Sequence, residues 1–178
     1  MNNDTALVII DTQVGIVENA YRRDEVLSAI RALLEKARTT QTPVIYVQHE
    51  EPEGYELEVG TPPWEIHPSI APREGEPVVH KRASDSFYDT AFQQVLKERG
   101  IQTLVVVGAQ TEYCVDTTIR RATTQGYNVL LVEDAHTTFD SGILTAEQII
   151  AHTNNTLNGF RSDNYRILVK PAEEIAFS

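Results

Sequence analysis

The chain has 178 residues, a net charge of −11, 41% hydrophobic and 23% charged residues, the profile of a globular protein that buries its own core without metal or disulfide staples. The acidic balance lacks the basic patches that nucleic acid or an anionic membrane requires, so a small-molecule substrate is the expected partner. One cysteine, Cys114, rules out an intramolecular disulfide, and no basic segment leads into an apolar run at the N-terminus; both features point to a cytoplasmic protein.

Short apolar runs alternate with segments of helical period. Ala6 to Ile10 reads as a buried strand that ends at Asp11. Val26, Ile30, Leu33, Leu34 and Ala37 fall on one face of a helix over residues 24–40. Pro43 stops that helix, and Val44 to Val47 forms a second strand. Residues 50–77 carry six prolines and three glycines and form a long loop, a length that in a compact domain usually serves function. Val78 and Val79 make a short third strand leading to His80 and Lys81. A helix over 89–99 stops at Gly100, and Leu104 to Val107 is a fourth strand broken by Gly108. A helix over 112–125 closes at Gly126; a fifth strand (129–132), a helix (145–158) and a sixth strand (166–169) follow.

Continuous apolar strands separated by helices predict a six-stranded parallel sheet covered on both faces. The reading is one doubly wound, Rossmann-like α/β domain over residues 1–178, with strand order 3-2-1-4-5-6. Ligands in such sheets bind beyond the carboxyl ends of the strands, at the switch point of strand order. Asp11, Lys81 and Cys114 follow the first, third and fourth strands. Each alone has an ordinary explanation: a turn cap, a solvated lysine, an inert core thiol. All three at one sheet edge are harder to explain as structure. With Thr111 as N-cap, Cys114 falls in the first turn of a helix, where free N–H groups and the helix dipole favour a thiolate and can hold an oxyanion. The reactive thiol would then outpace a free model thiol toward iodoacetamide. Asp11 would take the thiol proton and Lys81 would limit the repulsion between the two anions.

The segments Val8 to Gln13, His80 to Phe87 and Gly108 to Thr118 together resemble the isochorismatase-like hydrolases, among them nicotinamidases, N-carbamoylsarcosine and ureidoacrylate amidohydrolases, and isochorismatases. The resemblance extends through Thr61 to His67 and Glu133 to Ala135, and the run Thr111, Glu112, Tyr113, Cys114, Val115 is its most specific part. It implies Asp11 as general base, Lys81 as organiser and Cys114 as nucleophile. It also implies a cis peptide bond between Ala109 and Gln110, with the Gln110 and Cys114 N–H groups as oxyanion hole, and assembly as a dimer or tetramer. Gln13, His49, Trp64, Tyr88 and Ala109 are the expected substrate-binding residues, and Phe139 is a further candidate for the pocket wall.

Nicotinamidases bind a metal through an Asp-x-His pair after the second strand; here Val47 stands two residues before His49. His49 and His67 with Glu50 or Glu51 offer only a partial set, so neither metal nor other cofactor is expected. Vinyl-ether-cleaving isochorismatases generally lack the cysteine, so Cys114 favours carbon–nitrogen cleavage. His136 receives no role, Asp134 is read as a cap, and Glu50, Glu51, Glu53, Glu56 and Glu58 as a solvated face. Two alternatives are weaker. A haloacid-dehalogenase-like phosphatase needs an Asp where Gln13 stands and leaves the surroundings of Cys114 unexplained; a non-catalytic binding or scaffold domain that keeps the fold is told apart by the reactivity of Cys114.

Overall fold

The run from Ala6 to Ile10 sets the middle of the molecule, because five consecutive apolar residues can be buried only with cover on both sheet faces. The structure, a computed structural model, describes residues 4–177. In it β1 (Thr5–Ile10) lies between β2 (Val44–His49) and β4 (Thr103–Ala109), both parallel to it, with Val8 opposite Ile45 on one side and Val106 on the other. β3 (Val78–Lys81) pairs with β2, and β5 (Asn128–Thr137) with β4.

Alternate side chains of β1 feed two cores. Ala6, Val8 and Ile10 meet Phe92, Leu96, Ile119 and Ala122 on one face; Leu7 and Ile9 meet Ile30, Leu33 and Leu34 on the other. Each fully buried Leu or Ile contributes roughly 1.5–3 kcal/mol. A one-residue slip would exchange the faces, so the register is strongly fixed. The first face is covered by α3 (Phe92–Glu98), which starts three residues later than the sequence suggests, and by α4 (Asp116–Thr124); the second is covered by α2 (Arg23–Thr39), while α5 (Ala146–Leu157) opens with a Thr145–Gln148 capping box. A single helical turn, α1 (Val14–Val17), lacks a periodic pattern long enough to be read from sequence.

The sheet has seven strands in the order β3-β2-β1-β4-β5-β7-β6. The expected sixth strand is β7 (Tyr165–Lys170), parallel to β5; beyond it β6 (Arg161–Ser162) adds a two-residue antiparallel edge. That extra strand is polar and too short to carry an alternation. Two boundaries also differ from expectation. Gly108 does not end β4 but pairs with Ile10 and His136 inside the sheet, at a register shift. A Cβ there would lie 2.0 Å from the Ile10 carbonyl oxygen at φ +123°, so only glycine lets β4 approach β1 this closely. The helix expected over 112–125 begins instead as a π-turn (Thr111–Val115), in which the Val115 N–H donates to the Gln110 carbonyl at 3.2 Å.

The 50–77 loop is irregular apart from short turns, yet it is fastened at its middle and at its end. Val14 N–H donates to Glu65 O (2.9 Å), Gly15 N–H to Pro63 O (2.8 Å) and His67 N–H to Thr12 O (2.9 Å). Arg38 on α2 grips Glu76 with two 2.8 Å hydrogen bonds. Among the described residues no helix is long and apolar enough to cross a membrane.

Candidate active site

Four neighbouring strands deliver one residue each to the same sheet edge. Lys81 ends β3, His49 ends β2, Asp11 follows β1 and Gln110 follows β4. Strands lie about 4.8 Å apart, so Lys81 must bridge two intervals, about 10 Å at the backbone, to reach Asp11, a distance suited to a long side chain. Asp11 adopts the left-handed region at φ +47°. That costs about 1–2 kcal/mol, less for Asp than for most residues. The peptide bond between Ala109 and Gln110 is cis.

The Lys81 ammonium is the hub. It lies 2.6 Å from Asp11 Oδ2, 3.0 Å from the Ala83 carbonyl, 3.1 Å from His49 Nδ1 and 3.2 Å from Cys114 Sγ. Both members of the Lys81–Asp11 pair are buried, with 0% and 1% of their side chains exposed. The contact is an ion pair by distance rather than a well-directed hydrogen bond, and neither Asp11 oxygen has another hydrogen-bond partner among the described residues. Ligand atoms of Asp11, His49 and Cys114 lie within 4.8 Å of one another, the one group among the described residues that could hold a metal ion. Their shared neighbour is the Lys81 ammonium. His67 stands apart from that group and bonds Ser69 Oγ through its Nδ1 at 2.9 Å.

Cys114 is half-buried. Burial, reinforced by the Asp11 carboxylate, pushes its thiol up to about 12 against the opposing pull of Lys81. This direction runs against the expectation of a thiolate favoured at a helix start. The N-cap reading of Thr111 fails for a separate reason. Gln110 occupies the N-cap position without a side-chain cap, while the Thr111 hydroxyl bonds His136 at 2.8 Å. His49 is lowered by burial and then by Lys81, so it is neutral. Because an ammonium only donates, His49 Nδ1 accepts and its proton sits on Nε2.

The other expected residues divide. Gln13 is fully buried, and its amide is committed to the His49 backbone by two 2.8 Å bonds that fix the end of β2. Ala109 is buried in the second core. Trp64 stacks on His80 at 6.0 Å, with its indole N–H buried and unpartnered among the described residues. Tyr88 is 68% exposed and lines a cavity of about 280 Å³ with Glu50, His80, Lys81, Arg82 and Asp89. A second cavity, about 570 Å³, adjoins it at His49, Glu50, Glu51, Pro52, Tyr55 and Arg82. Phe139 is partly buried.

The acidic segment is less solvated than expected. Glu50 lies 3.1 Å from His80 Nδ1, Glu51 accepts from Leu57 N–H, and Glu58 from Gly54 N–H. Asp134 caps the Ala172 N–H at 2.8 Å. The Ala83 carbonyl and the buried Ser86–Thr118 hydroxyl pair (2.8 Å), which ties the loop after β3 to α4, carry no sequence signal.

The fold agrees with known proteins. The chain belongs to the isochorismatase family of hydrolases: the Isochorismatase domain model matches residues 5–167. Over 136 residues, 74% of this chain and 72% of the relative, it is 38% identical to the secreted isochorismatase effector Isc1 of Verticillium dahliae. It is 36% identical over 138 residues to a streptothricin hydrolase of Streptomyces noursei, matching 76% of this chain but 55% of that protein, so the chain spans about half of that relative. The crystal structure of an isochorismatase from Pseudomonas putida superposes with a TM-score of 0.89 at 31% identity, covering 97% of this chain and 90% of that one.

Proposed function

We propose that the protein hydrolyses a carbon–nitrogen bond of a small amide, ureide or carbamoyl compound through a thioester on Cys114. The observation that carries this reading is the Lys81 ammonium placed between a buried carboxylate at 2.6 Å and the thiol at 3.2 Å. Asp11 removes the thiol proton as sulfur attacks the carbonyl carbon, and Lys81 offsets the negative charge as it passes from carboxylate to sulfur to oxygen. The oxyanion is held by the Gln110 and Cys114 N–H groups. Protonated Asp11 then donates to the leaving nitrogen, the C–N bond breaks and the amine departs. Water next loses a proton to Asp11 and attacks the thioester; the acid product leaves as the sulfur takes that proton back. A thiol raised to about 12 suits this scheme, because its proton moves only when a carbonyl is present to receive the electron pair.

The acidic surface favours small molecules over nucleic acid, and assembly as a dimer or tetramer belongs to the same reading. A second reading, vinyl ether hydrolysis, is favoured by the similarity to the Verticillium isochorismatase effector. One screen separates them: amides, ureides, carbamates and isochorismate, each with wild type and Cys114→Ala. Loss of roughly three or more orders of magnitude in kcat on a C–N substrate supports the thioester path. Equal turnover of isochorismate by both proteins, with no C–N substrate cleaved, supports the alternative.

A further inference from the structure

We infer that Asn154, His136 and Thr111 form a directional hydrogen-bond chain that positions the π-turn bearing Gln110 and Cys114. The role of that turn rests on the thioester reading above. The chain runs from α5 through β5 into the turn: Asn154 Oδ1 to His136 Nε2 at 2.8 Å, then His136 Nδ1 to Thr111 Oγ1 at 2.8 Å. His136 and Thr111 are 1% and 0% exposed, so these bonds face little competition from water.

The polarity of the chain follows from donor counting. Asn154 Nδ2 donates to the Glu133 carbonyl at 3.2 Å, which orients the amide so that Oδ1 faces the imidazole. His136 Nε2 must therefore carry the proton. The imidazole is neutral, since burial pushes it down to about 4 against the weaker opposing effects of Asn154 and Asp134. Other charged or titratable groups near this end of the chain, Tyr21, Arg22, Glu133 and Glu147, line a neighbouring cavity with His136. With Nε2 protonated, Nδ1 is a bare acceptor and the Thr111 hydroxyl must donate to it. Thr111 follows Gln110 directly and opens the five-residue turn that contains Cys114. Its hydroxyl is thus withdrawn from capping its own turn and spent on fixing that turn to β5. A buried histidine merely satisfied in the core would need the same bonds, so the distinguishing property is an effect on chemistry that exceeds the effect on folding.

Two measurements on the intact chain test this. In side-chain ¹⁵N NMR of wild type near pH 7, His136 should carry its proton on Nε2; a proton on Nδ1 would overturn the inference without touching the thioester reading. Thr111→Val removes the donor and keeps the shape. Its kcat on the C–N substrate should fall about 10–100-fold, as expected of a slight misplacement at a reacting centre. KM should stay within about threefold and Thr111→Ser should restore kcat to within about threefold, a pattern that marks lost transition-state stabilisation rather than lost binding. Asn154→Leu, which frees the tautomer, should lower kcat in the same way and move proton population to Nδ1. Wild-type kcat in Thr111→Val while Cys114→Ala is inactive would remove this inference alone. Turnover surviving in Cys114→Ala would remove the thioester reading instead, leaving the NMR tautomer to decide the chain.

Discussion

Lys81→Met is the perturbation whose cost can be worked most fully from the structure. It deletes the ammonium but keeps most of the stem, leaving the Asp11 carboxylate with no hydrogen-bond partner among the described residues. Stranding one member of a buried ion pair costs about 3–5 kcal/mol. For a domain of this size that corresponds to a fall in Tm of roughly 6–20 °C. Asp11→Asn should cost less, because Lys81 keeps the Ala83 carbonyl, His49 Nδ1 and Cys114 as partners. The double variant Asp11→Asn/Lys81→Met should be about 2 kcal/mol more stable than Lys81→Met alone, since the stranded charge is gone. All three should lack activity. Urea unfolding with paired thermal melts at pH 8 gives the numbers. A Lys81→Met variant within 1 kcal/mol of wild type at pH 8, or strict additivity in the double variant, would refute the reasoning.

Two other outcomes follow from the charge states. Iodoacetamide should alkylate resting Cys114 more slowly near pH 7 than it does a free model thiol, with the rate still climbing through the alkaline range, because the thiol is raised to about 12; a plateau below pH 8, followed by intact mass, would contradict the protonated resting state. Glu76 pairs with Arg38, whose guanidinium, aided by the Arg73 N–H, overcomes the burial that alone would raise the carboxyl and holds it below its usual range. A depressed carboxyl contributes stability above the unfolded-state value of about 4.3 and loses it as pH falls through the folded value. Glu76→Gln should therefore lower Tm by a few degrees near pH 7, and that difference should fade in acid; a constant difference across the range would show that the pair acts through shape alone.

How much of this was legible in the sequence depended on whether the signal was local. The apolar runs of β1, β2, β4 and β5 declare a buried parallel sheet by composition, and Asp11, Lys81 and Cys114 stand out because they interrupt or follow such runs. Strand order brings those three together, so the edge geometry followed once the sheet was doubly wound. The Ala83 carbonyl, the Gln13 amide on the His49 backbone and the His136–Thr111 bond were not legible. Each depends on where a side chain meets a backbone or a partner 2 to 36 residues away, and no residue type at those positions announces it. Thr111 shows the failure plainly: a threonine before a helical segment reads as a cap, and only a buried histidine on a neighbouring strand turns it elsewhere. Helix-end N–H groups can be read from sequence, while the burial of Cys114 beside Asp11, which pushes its thiol the other way, cannot.

The central claim is that catalysis passes through sulfur. Its most direct measurement is the intact mass of the protein quenched in acid during turnover of a C–N substrate, with the modified residue located by peptide mapping. The account requires a transient mass increase equal to the acyl half of the substrate, confined to Cys114, absent in Cys114→Ala and decaying as substrate is exhausted. Sustained turnover by Cys114→Ala at the wild-type rate, with no adduct on either protein, would contradict it.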